Sequence, residues 1–191
     1  MENRRDSKCN YISLNVKGIR EKGKRQRIFA WCKEKKADIV FLQETFSSRE
    51  VEDKWATEWN GQCIYSHGTS HSKGVLMLIN ASLNIEMKRV LSDLDGRYIL
   101  VDCILEGVRV ILCNVYFPVR NKEKEQTQLL KKIQAELGVL NKDRHSIIIG
   151  GDFNMVRNEE LDYVGNNKLR SQSLFNLEME NFMETWNLID I

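Results

Sequence analysis

Four apolar stretches of the sequence each run into polar side chains that are suited to binding a ligand. "YISLN" ends at Asn15, "IVFLQE" at Glu44, "VILCNVY" at Tyr116, and "SIIIGGDFN" at Asp152 and Asn154. Short runs of β-branched, aliphatic and aromatic residues favour buried strands. Ligand sites in open α/β sheets lie beyond the carboxyl ends of strands. The pattern therefore predicts that these polar residues converge on one site.

Each of these residues taken singly also has an ordinary structural explanation. The asparagine at position 15 could form a turn, the glutamate at position 44 could cap a helix, and the tyrosine could be a core residue with a satisfied hydroxyl. The aspartate and asparagine after the last strand could hold a turn made possible by Gly150 and Gly151. The prediction of a site rests on their joint occurrence.

Length and composition indicate a single globular domain. The chain has 191 residues, of which 42% are hydrophobic and 29% are charged. Only one proline occurs, and no linker or repeat is visible. We expect a tail over residues 1–8 and one domain over residues 9–191.

The sequence gives no signal for secretion, membrane insertion or zinc. The first ten residues lack the apolar core of a signal peptide, and no apolar run is long enough to span a bilayer. Its five cysteines are scattered without a C-x-x-C pair. This pattern predicts reduced thiols in an intracellular protein, without a zinc site and without a membrane partner.

Periodicity along the chain predicts helix-covered strands at both ends and an antiparallel meander between them. The expected strands lie at 9–16, 38–44, 74–80, 84–91, 97–105, 108–117 and 145–154, and the expected helices at 24–37, 49–61, 123–140 and 173–190. Gly61 is expected to stop the second helix, and Glu106-Gly107 to form a tight hairpin turn. The fold class that follows is α/β: a layered sandwich of two packed mixed sheets flanked by helices.

Three of the helices have apolar residues spaced for one buried side. In the first helix these are Ile28, Phe29, Trp31 and Cys32; in the third Leu130, Ile133, Leu137 and Leu140; and in the last Leu174, Leu177, Phe182 and Trp186. The basic residues of the first helix are expected to face outward.

The charge distribution is uneven, although the net charge is only +2. Residues 1–36 hold twelve Lys and Arg against four Asp and Glu. A basic segment of this kind can attract a polyanion, but it can also be an ordinary solvated helix face.

Two carboxylates and two amides, without histidine or thiolate, make a hard, oxygen-rich site. Mg²⁺ prefers such ligands and leaves its other positions to water and substrate phosphate. A second carboxylate that is not bound to the metal could accept the proton of the attacking water. The residues themselves therefore indicate metal-assisted hydrolysis of a phosphate ester.

Five segments resemble the endonuclease/exonuclease/phosphatase superfamily in their order and spacing: "SLNVKGI", "FLQET", "SKGVLMLI", "NVYFP" and "IIIGGDFN". The wording of "SHGTSHSKGVLMLI" and "GGDFN" most resembles the endonuclease domain of LINE-type (non-LTR) retrotransposons. The resemblance implies a deoxyribonuclease I-like fold and a DNA-nicking phosphodiesterase that uses Mg²⁺, with Mn²⁺ as a possible substitute. It also implies a DNA partner, a reverse transcriptase domain downstream in an intact element, and a nuclear location if the target is genomic DNA.

The resemblance assigns a role to each residue of the predicted site. Glu44 would be the main metal ligand, with Asn15 beside it as a second ligand. Asp152 would orient or deprotonate the attacking water, and Asn154 would contact the phosphate. Tyr116 would stabilise the phosphate or the leaving oxygen.

Residues beside these positions are expected to contact the substrate: Lys17, Arg20, His67, Ser72 and Lys73. Lys17 stands where apurinic endonucleases carry a second acidic residue, which argues against that branch.

Relatives also carry a late aspartate and a Ser-Asp-His segment, and this sequence shows neither. The expectation is a C-terminally incomplete domain with impaired activity and an unpaired sheet edge. Two alternatives stay open: a catalytically inert fragment or binding domain, and a phosphatase or phosphodiesterase of the same superfamily that acts on a small molecule or lipid.

Overall fold

A computed structural model describes residues 9–143, 145–155 and 173–191, so the expected tail over residues 1–8 lies outside the described residues. The described residues belong to two compact units. The first comprises the chain up to Tyr116 together with Ile148–Asp152, and the second comprises Phe117–Ile147 together with Phe153–Ile191.

The described residues form eight strands and four α-helices. The strands are β1 (Tyr11–Asn15), β2 (Ile39–Gln43), β3 (Gly61–Ser66), β4 (Val75–Asn80), β5 (Ile85–Ser92), β6 (Tyr98–Leu105), β7 (Val108–Tyr116) and β8 (Ser146–Asp152). The helices are α1 (Lys22–Glu34), α2 (Glu52–Trp59), α3 (Glu123–Leu140) and α4 (Leu174–Thr185), and a single 3₁₀ turn, Arg49–Val51, precedes α2.

The first sheet is mixed, with strand order β1-β2-β4-β3. β1 and β2 are parallel, and Asn15 lies opposite Gln43 at their carboxyl ends. β4 is antiparallel to both β2 and β3. The parallel register places Asn15 next to the point where the chain leaves β2 at Glu44.

The second sheet has strand order β5-β6-β7-β8, and its first three strands are antiparallel. The turn between β6 and β7 has positive φ angles at Glu106 (48°) and Gly107 (83°). Positive φ at both central residues is the geometry that tight hairpins require, so the predicted hairpin is confirmed.

Two apolar clusters give the first unit its layers. One lies between the sheets and joins Phe41 and Met77 of the first sheet to Val101 and Leu112 of the second. The other lies on the opposite face of the first sheet, where α1 and α2 pack against β2 and β4. Burial of each large apolar side chain contributes about 1.5–3 kcal/mol to folding, so the layers have strong hydrophobic support. The predicted layered α/β sandwich is confirmed.

The buried side of α1 differs from the prediction. Phe29 and Cys32 are buried as expected, but Trp31 is 41% exposed. Arg25 was expected to face outward, yet it is 1% exposed and lies on the same stripe, one turn before Phe29. Residues spaced by three or four share a helix face, whereas Trp31 follows Phe29 by two. Arg25 is tolerated inside because Glu58 neutralises it at 2.6 Å.

The end of α2 was also predicted incorrectly. Asn60, with φ 58° and ψ 53°, is the left-handed residue that stops the helix, and its N–H donates to the carbonyl of Ala56. Gly61 instead begins β3, a strand that the sequence did not predict. Asparagine tolerates the left-handed conformation because its short polar side chain can bond locally.

In the second unit, α3 and α4 pack against each other. The Glu123 carboxylate of α3 accepts the N–H of Phe175, and Lys131 lies 3.4 Å from Glu178. The predicted core residues of α3 are all buried, namely Leu130, Ile133, Leu137 and Leu140. The predicted apolar side of α4 is wrong in part, because Leu174 and Leu177 are exposed while Phe175, Met179 and Phe182 are buried.

β8 was predicted to be a buried strand, but Ser146 is exposed and the residues after it are only partly buried. It lies at the edge of its sheet in the described strand order, which leaves one side of the strand uncovered. Among the described residues, no helix combines the length and the apolar character needed to cross a membrane.

Candidate active site

The amide of Asn15 bridges two carboxylates at one end of the first unit. Its Nδ2 atom donates to Glu44 Oε1 at 2.9 Å and to Asp152 Oδ2 at 2.8 Å. Its Oδ1 atom accepts the backbone N–H of Lys17 at 3.1 Å, which fixes the orientation of the amide. Three of the five residues predicted to share a site are therefore in direct contact.

Glu44 is held in an unusual backbone conformation. Its φ is 54°, in the left-handed region that non-glycine residues rarely adopt. Its carbonyl accepts the N–H of Gly18 at 2.6 Å, and the next residue, Thr45, donates to the carbonyl of Gly74 at 2.9 Å. Strained backbone of this kind persists where the surroundings determine it, and it concentrates at functional sites.

Tyr116 completes the contact group from the second sheet. Its hydroxyl donates to Glu44 Oε1 at 2.9 Å. Burial, and then the hydrogen bond with Glu44, raise the pKa of this phenol to about 12. At neutral pH the hydroxyl thus stays protonated and remains a hydrogen-bond donor.

Arg97 is a neighbour of Tyr116 that the sequence did not predict. Its guanidinium lies 4.8 Å from the centre of the tyrosine ring, and its Nη1 donates to the Tyr116 carbonyl at 3.4 Å. A cation over an aromatic face is attracted by the ring quadrupole. The hairpin register could have revealed this neighbour. The register pairs Leu105 with Val108 and Tyr98 with Val115, so the next pair along the two strands is Arg97 with Tyr116.

The doubled glycine before Asp152 allows β8 to approach its neighbours closely. A Cβ atom on Gly150 would lie 2.3 Å from the ring of Phe41, and one on Gly151 would lie 2.2 Å from the carbonyl oxygen of Val115. Neither distance is sterically possible without displacement of the strand. The glycines therefore place Asp152 against the ends of β1 and β2.

Asn154 follows Asp152 by two residues but belongs to the second unit. Its side-chain amide donates to the carbonyl of Phe117 at 2.9 Å, and its own carbonyl accepts from Gln126 at 3.2 Å. Its φ of 49° makes it another left-handed residue. A contact between Asn154 and phosphate remains a prediction.

Two of the predicted substrate contacts, Lys17 and Arg20, lie on the loop between β1 and α1. Both side chains are exposed. Arg20 donates to the carbonyl of Phe46 at 3.3 Å and to the hydroxyl of Ser48 at 3.1 Å, both on the loop that follows Glu44. The loop after β1 therefore presents two basic groups, and Arg20 ties it to the loop that follows Glu44.

The other three predicted contacts lie on the loop over residues 67–74. Ser72 is exposed, and the Lys73 carbonyl accepts the N–H of Phe46 at 3.0 Å. His67 contacts Ser47 Oγ at 3.0 Å and Glu52 Oε1 at 2.6 Å. Both ring nitrogens of His67 thus have partners within the protein, which anchor the loop, and a substrate contact by His67 remains a prediction.

The donor set is compatible with a hard divalent cation. Mg²⁺ is commonly held by one or two carboxylates, with water and substrate phosphate in its other positions. Glu44 and Asp152 supply two carboxylates bridged by one amide. In the described part of the chain, no group of three or more His, Cys, Asp and Glu residues is arranged to hold a metal ion. Metal binding by Glu44 and a ligand role for Asn15 remain predictions.

Comparison with protein families gives one match that covers most of the chain. Residues 12–175 match the model of the Endonuclease/Exonuclease/phosphatase family. A curated relative is the 149 kDa protein of transposon TX1 from Xenopus laevis, which is 30% identical over 142 residues. The match covers 74% of this chain and 11% of the transposon protein.

Several solved structures share the fold at low sequence identity. The catalytic domain of Xenopus laevis APE2 superimposes with a TM-score of 0.68 at 20% identity, over 90% of this chain and 67% of that one. The AP endonuclease LMAP from Leishmania major gives 0.65 at 17% identity, over 94% and 67%. D. rerio TDP2, complexed with a single-strand DNA product, superimposes with a TM-score of 0.62 at 18% identity, over 82% of this chain and 64% of that one. The predicted deoxyribonuclease I-like fold is confirmed, and the chain spans about two thirds of these structures.

Proposed function

Because this chain belongs to the endonuclease/exonuclease/phosphatase family, whose named activities all cleave phosphate esters, we propose that it is a magnesium-dependent endonuclease that nicks DNA. The observation that carries the proposal is the Asn15 amide that joins Glu44 to Asp152 at 2.9 and 2.8 Å. This amide holds the Glu44 carboxylate, which can bind a metal, close to the Asp152 carboxylate, which can accept a proton.

Each residue has a distinct task in the proposed reaction. Glu44 would hold Mg²⁺, which when bound would stabilise charge on the phosphate and lower the pKa of a water. Asp152, oriented by Asn15, accepts a proton from the water whose oxygen attacks phosphorus. The bond from phosphorus to the sugar 3′-oxygen then breaks, and that oxygen takes up a proton from solvent. The products are a 3′-hydroxyl on one fragment and a 5′-phosphate on the other. Tyr116 would turn its one hydroxyl hydrogen from Glu44 towards a phosphate or leaving oxygen and form a hydrogen bond there as charge develops.

Two observations favour DNA over a small phosphate ester. The exposed basic residues Lys17 and Arg20 lie on the loop beside the carboxylates, and α1 continues with the half-buried Lys24 and the exposed Arg27. Such groups suit the regularly spaced phosphates of a polynucleotide. The matched relative is a transposon protein much longer than this chain. We therefore propose a retrotransposon endonuclease domain, with a reverse transcriptase domain in the intact element and genomic DNA in the nucleus as its target.

Nicking of supercoiled plasmid by the purified chain tests this proposal against its alternative. With Mg²⁺ or Mn²⁺ we expect conversion to open circles, and with EDTA no conversion. A parallel assay follows phosphate release from an inositol phosphate, where we expect no activity. Phosphate release without nicking would favour the small-molecule phosphatase. Absence of both activities, from protein shown by circular dichroism to be folded, would favour the inert binding domain.

The salt dependence of nicking separates backbone contact from incidental cleavage. Phosphate contacts by Lys17 and Arg20 release counterions, so the apparent affinity for DNA should fall steeply as the salt concentration rises. The slope of the logarithm of the affinity against the logarithm of the salt concentration should become shallower by about two when both residues are replaced by Gln. The matched control is Lys35→Gln with Lys36→Gln, at the exposed far end of α1, which should leave the slope unchanged.

A further inference from the structure

Directly behind the candidate site lies a pair of buried amides, Gln43 and Asn114. Both side chains have no exposed surface. Gln43 Nε2 donates to Asn114 Oδ1 at 2.9 Å. Gln43 immediately precedes Glu44 on the first sheet, and Asn114 precedes Tyr116 by two residues on the second. Each amide therefore shares a strand end with one partner of the Glu44–Tyr116 hydrogen bond.

The pair ties the two sheets together through directional bonds. Asn114, on β7, donates to the carbonyls of Leu42 on β2 and Leu76 on β4, at 3.2 and 3.0 Å. Gln43 also donates to the carbonyl of Phe41 at 3.0 Å. The cluster that fills the rest of the space between the sheets is apolar. Apolar packing resists separation of the sheets, but it fixes their lateral position less strictly than hydrogen bonds do.

One atom of the amide pair carries a cost to stability. Gln43 Oε1 is buried and has no hydrogen-bond partner in the described part of the chain. A buried acceptor without a partner loses its hydration and gains nothing in exchange. Apolar side chains of similar size at both positions would fill the same space without that loss. Costly buried polar groups of this kind call for an explanation beyond packing.

We propose that Gln43 and Asn114 are positioning residues that set the lateral position of the two sheets so that the Tyr116 hydroxyl reaches the Glu44 carboxylate. The Glu44–Tyr116 bond joins the ends of β2 and β7, and the amide bridge joins the same two strands one step inside the protein. A shift of one sheet by a fraction of an ångström would lengthen the 2.9 Å bond. The expected effect on catalysis rests on the proposed function. The expected effect on the Glu44–Tyr116 hydrogen bond does not.

A double-mutant cycle on stability tests the mechanical part without any assay of activity. Urea unfolding is measured for wild type, Gln43→Met, Tyr116→Phe and the double variant. Tyr116→Phe lowers the folding equilibrium constant by some factor in each background. If the bridge positions the hydroxyl, that factor should be at least three times smaller in the Gln43→Met background than in wild type. Tyr65→Phe is the control, because that hydroxyl bonds to the Glu52 carbonyl away from the site; its effect should be the same in both backgrounds. Equal effects of Tyr116→Phe in both backgrounds would overturn the proposal.

The catalytic part is tested by the split between kcat and KM for plasmid nicking. Gln43→Met should lower kcat by about tenfold and leave KM unchanged, as expected for a group that orients another. A purely structural role predicts unchanged kcat in the folded fraction, as we expect for the destabilised variant Arg25→Met. Asn114→Ser provides a second test if Gln43→Met does not fold. Absence of nicking by wild type would contradict the proposed function, whereas an additive stability cycle would contradict the positioning role.

Discussion

Asn15 and Asp152 lie 137 residues apart in the sequence, yet Asn15 Nδ2 lies 2.8 Å from Asp152 Oδ2. The contact joins the first strand of one sheet to the last described strand of the other. No local segment of the chain contains the candidate site, because its carboxylates meet only when both sheets have formed and packed. Changes that displace β8 should therefore affect catalysis as well as stability.

Gly151→Ala is predicted to damage both properties. Its Cβ would lie 2.2 Å from the Val115 carbonyl oxygen, which is fixed in β7, so the strand that carries Asp152 must move. We expect a loss of about 2 kcal/mol or more in the free energy of unfolding and a large fall in nicking rate. Gly138→Ala is the control, because a Cβ at that position in α3 meets nothing within 4 Å; it should stabilise the protein by up to about 1 kcal/mol. Equal effects of the two substitutions would contradict the packing described here.

Tyr116→Phe is predicted to lower kcat by about 100-fold while the ring stays in place beside Arg97. The variant also tests the pKa of the phenol. Burial and the Glu44 bond raise that pKa from 10.0 to about 12, so folding favours the protonated form. The stability from this shift is complete below pH 10 and is lost as the pH rises towards 12. Urea titrations across that range should show a smaller alkaline loss in Tyr116→Phe than in wild type; identical losses would contradict the assignment.

Arg25→Met is predicted to destabilise the first unit by about 2 kcal/mol, because it breaks an ion pair between a buried guanidinium and a partly exposed carboxylate. The guanidinium donates to both carboxylate oxygens of Glu58, at 2.6 and 2.8 Å, and lies 5.2 Å from the ring of Trp55. Urea unfolding measures the loss. The control is Arg27→Met, at a side chain that is 76% exposed, where we expect the free energy of unfolding to change by less than about 0.5 kcal/mol.

The same ion pair makes the free energy of unfolding depend on pH in the acid range. The hydrogen bond from Arg25 holds the pKa of Glu58 below its ordinary value of 4.5. A depressed carboxyl pKa contributes stability that is present above the unfolded value and is lost as the pH falls through the folded value. Arg25→Met should therefore lose less stability than wild type between neutral pH and the region below 4.5. A steeper loss in the variant would contradict this account.

Three buried cysteines, Cys32, Cys103 and Cys113, and the partly buried Cys63 are predicted to resist alkylation until the protein unfolds. Burial raises the pKa of Cys32 and Cys63 to about 11 and that of Cys103 to about 12, and it raises the pKa of the fully buried Cys113 as well. The thiolate is the reactive form, so at mildly alkaline pH these thiols should react slowly with iodoacetamide. Mass spectrometry with and without urea measures the difference. Rapid labelling of Cys113 in the folded protein would contradict its burial.

The sequence predicted every described strand except β3, and it predicted that Asn15, Glu44 and Asp152 meet, because both predictions depend on local patterns. A strand that carries a buried apolar run must end where polar residues begin, and parallel neighbours end at the same edge. The proximity of the ends of β1 and β2 therefore follows from the sequence pattern. The hairpin at Glu106-Gly107 was equally local, since its glycine accepts the positive φ that the turn requires.

Other features depend on tertiary contacts that the local pattern does not contain. Trp31 is apolar, but it lies off the stripe defined by Phe29 and Cys32, and the basic Arg25 lies on that stripe because Glu58 is opposite. The buried amide of Gln43 has its partner, Asn114, 71 residues away on the other sheet. Such pairs are determined by the packing of the sheets and not by the residues around each member.

The most direct test of the central claim is metal-dependent plasmid nicking by wild type, Glu44→Gln and Asp152→Asn, with Glu34→Gln as a matched control. Glu34 is an exposed carboxylate at the end of α1. We predict that Glu44→Gln and Asp152→Asn each reduce the Mg²⁺-dependent rate by at least about 100-fold, while Glu34→Gln leaves it unchanged. Mg²⁺-dependent nicking that persists at the wild-type rate in Glu44→Gln or Asp152→Asn would show that the carboxylates joined by Asn15 are not the catalytic centre.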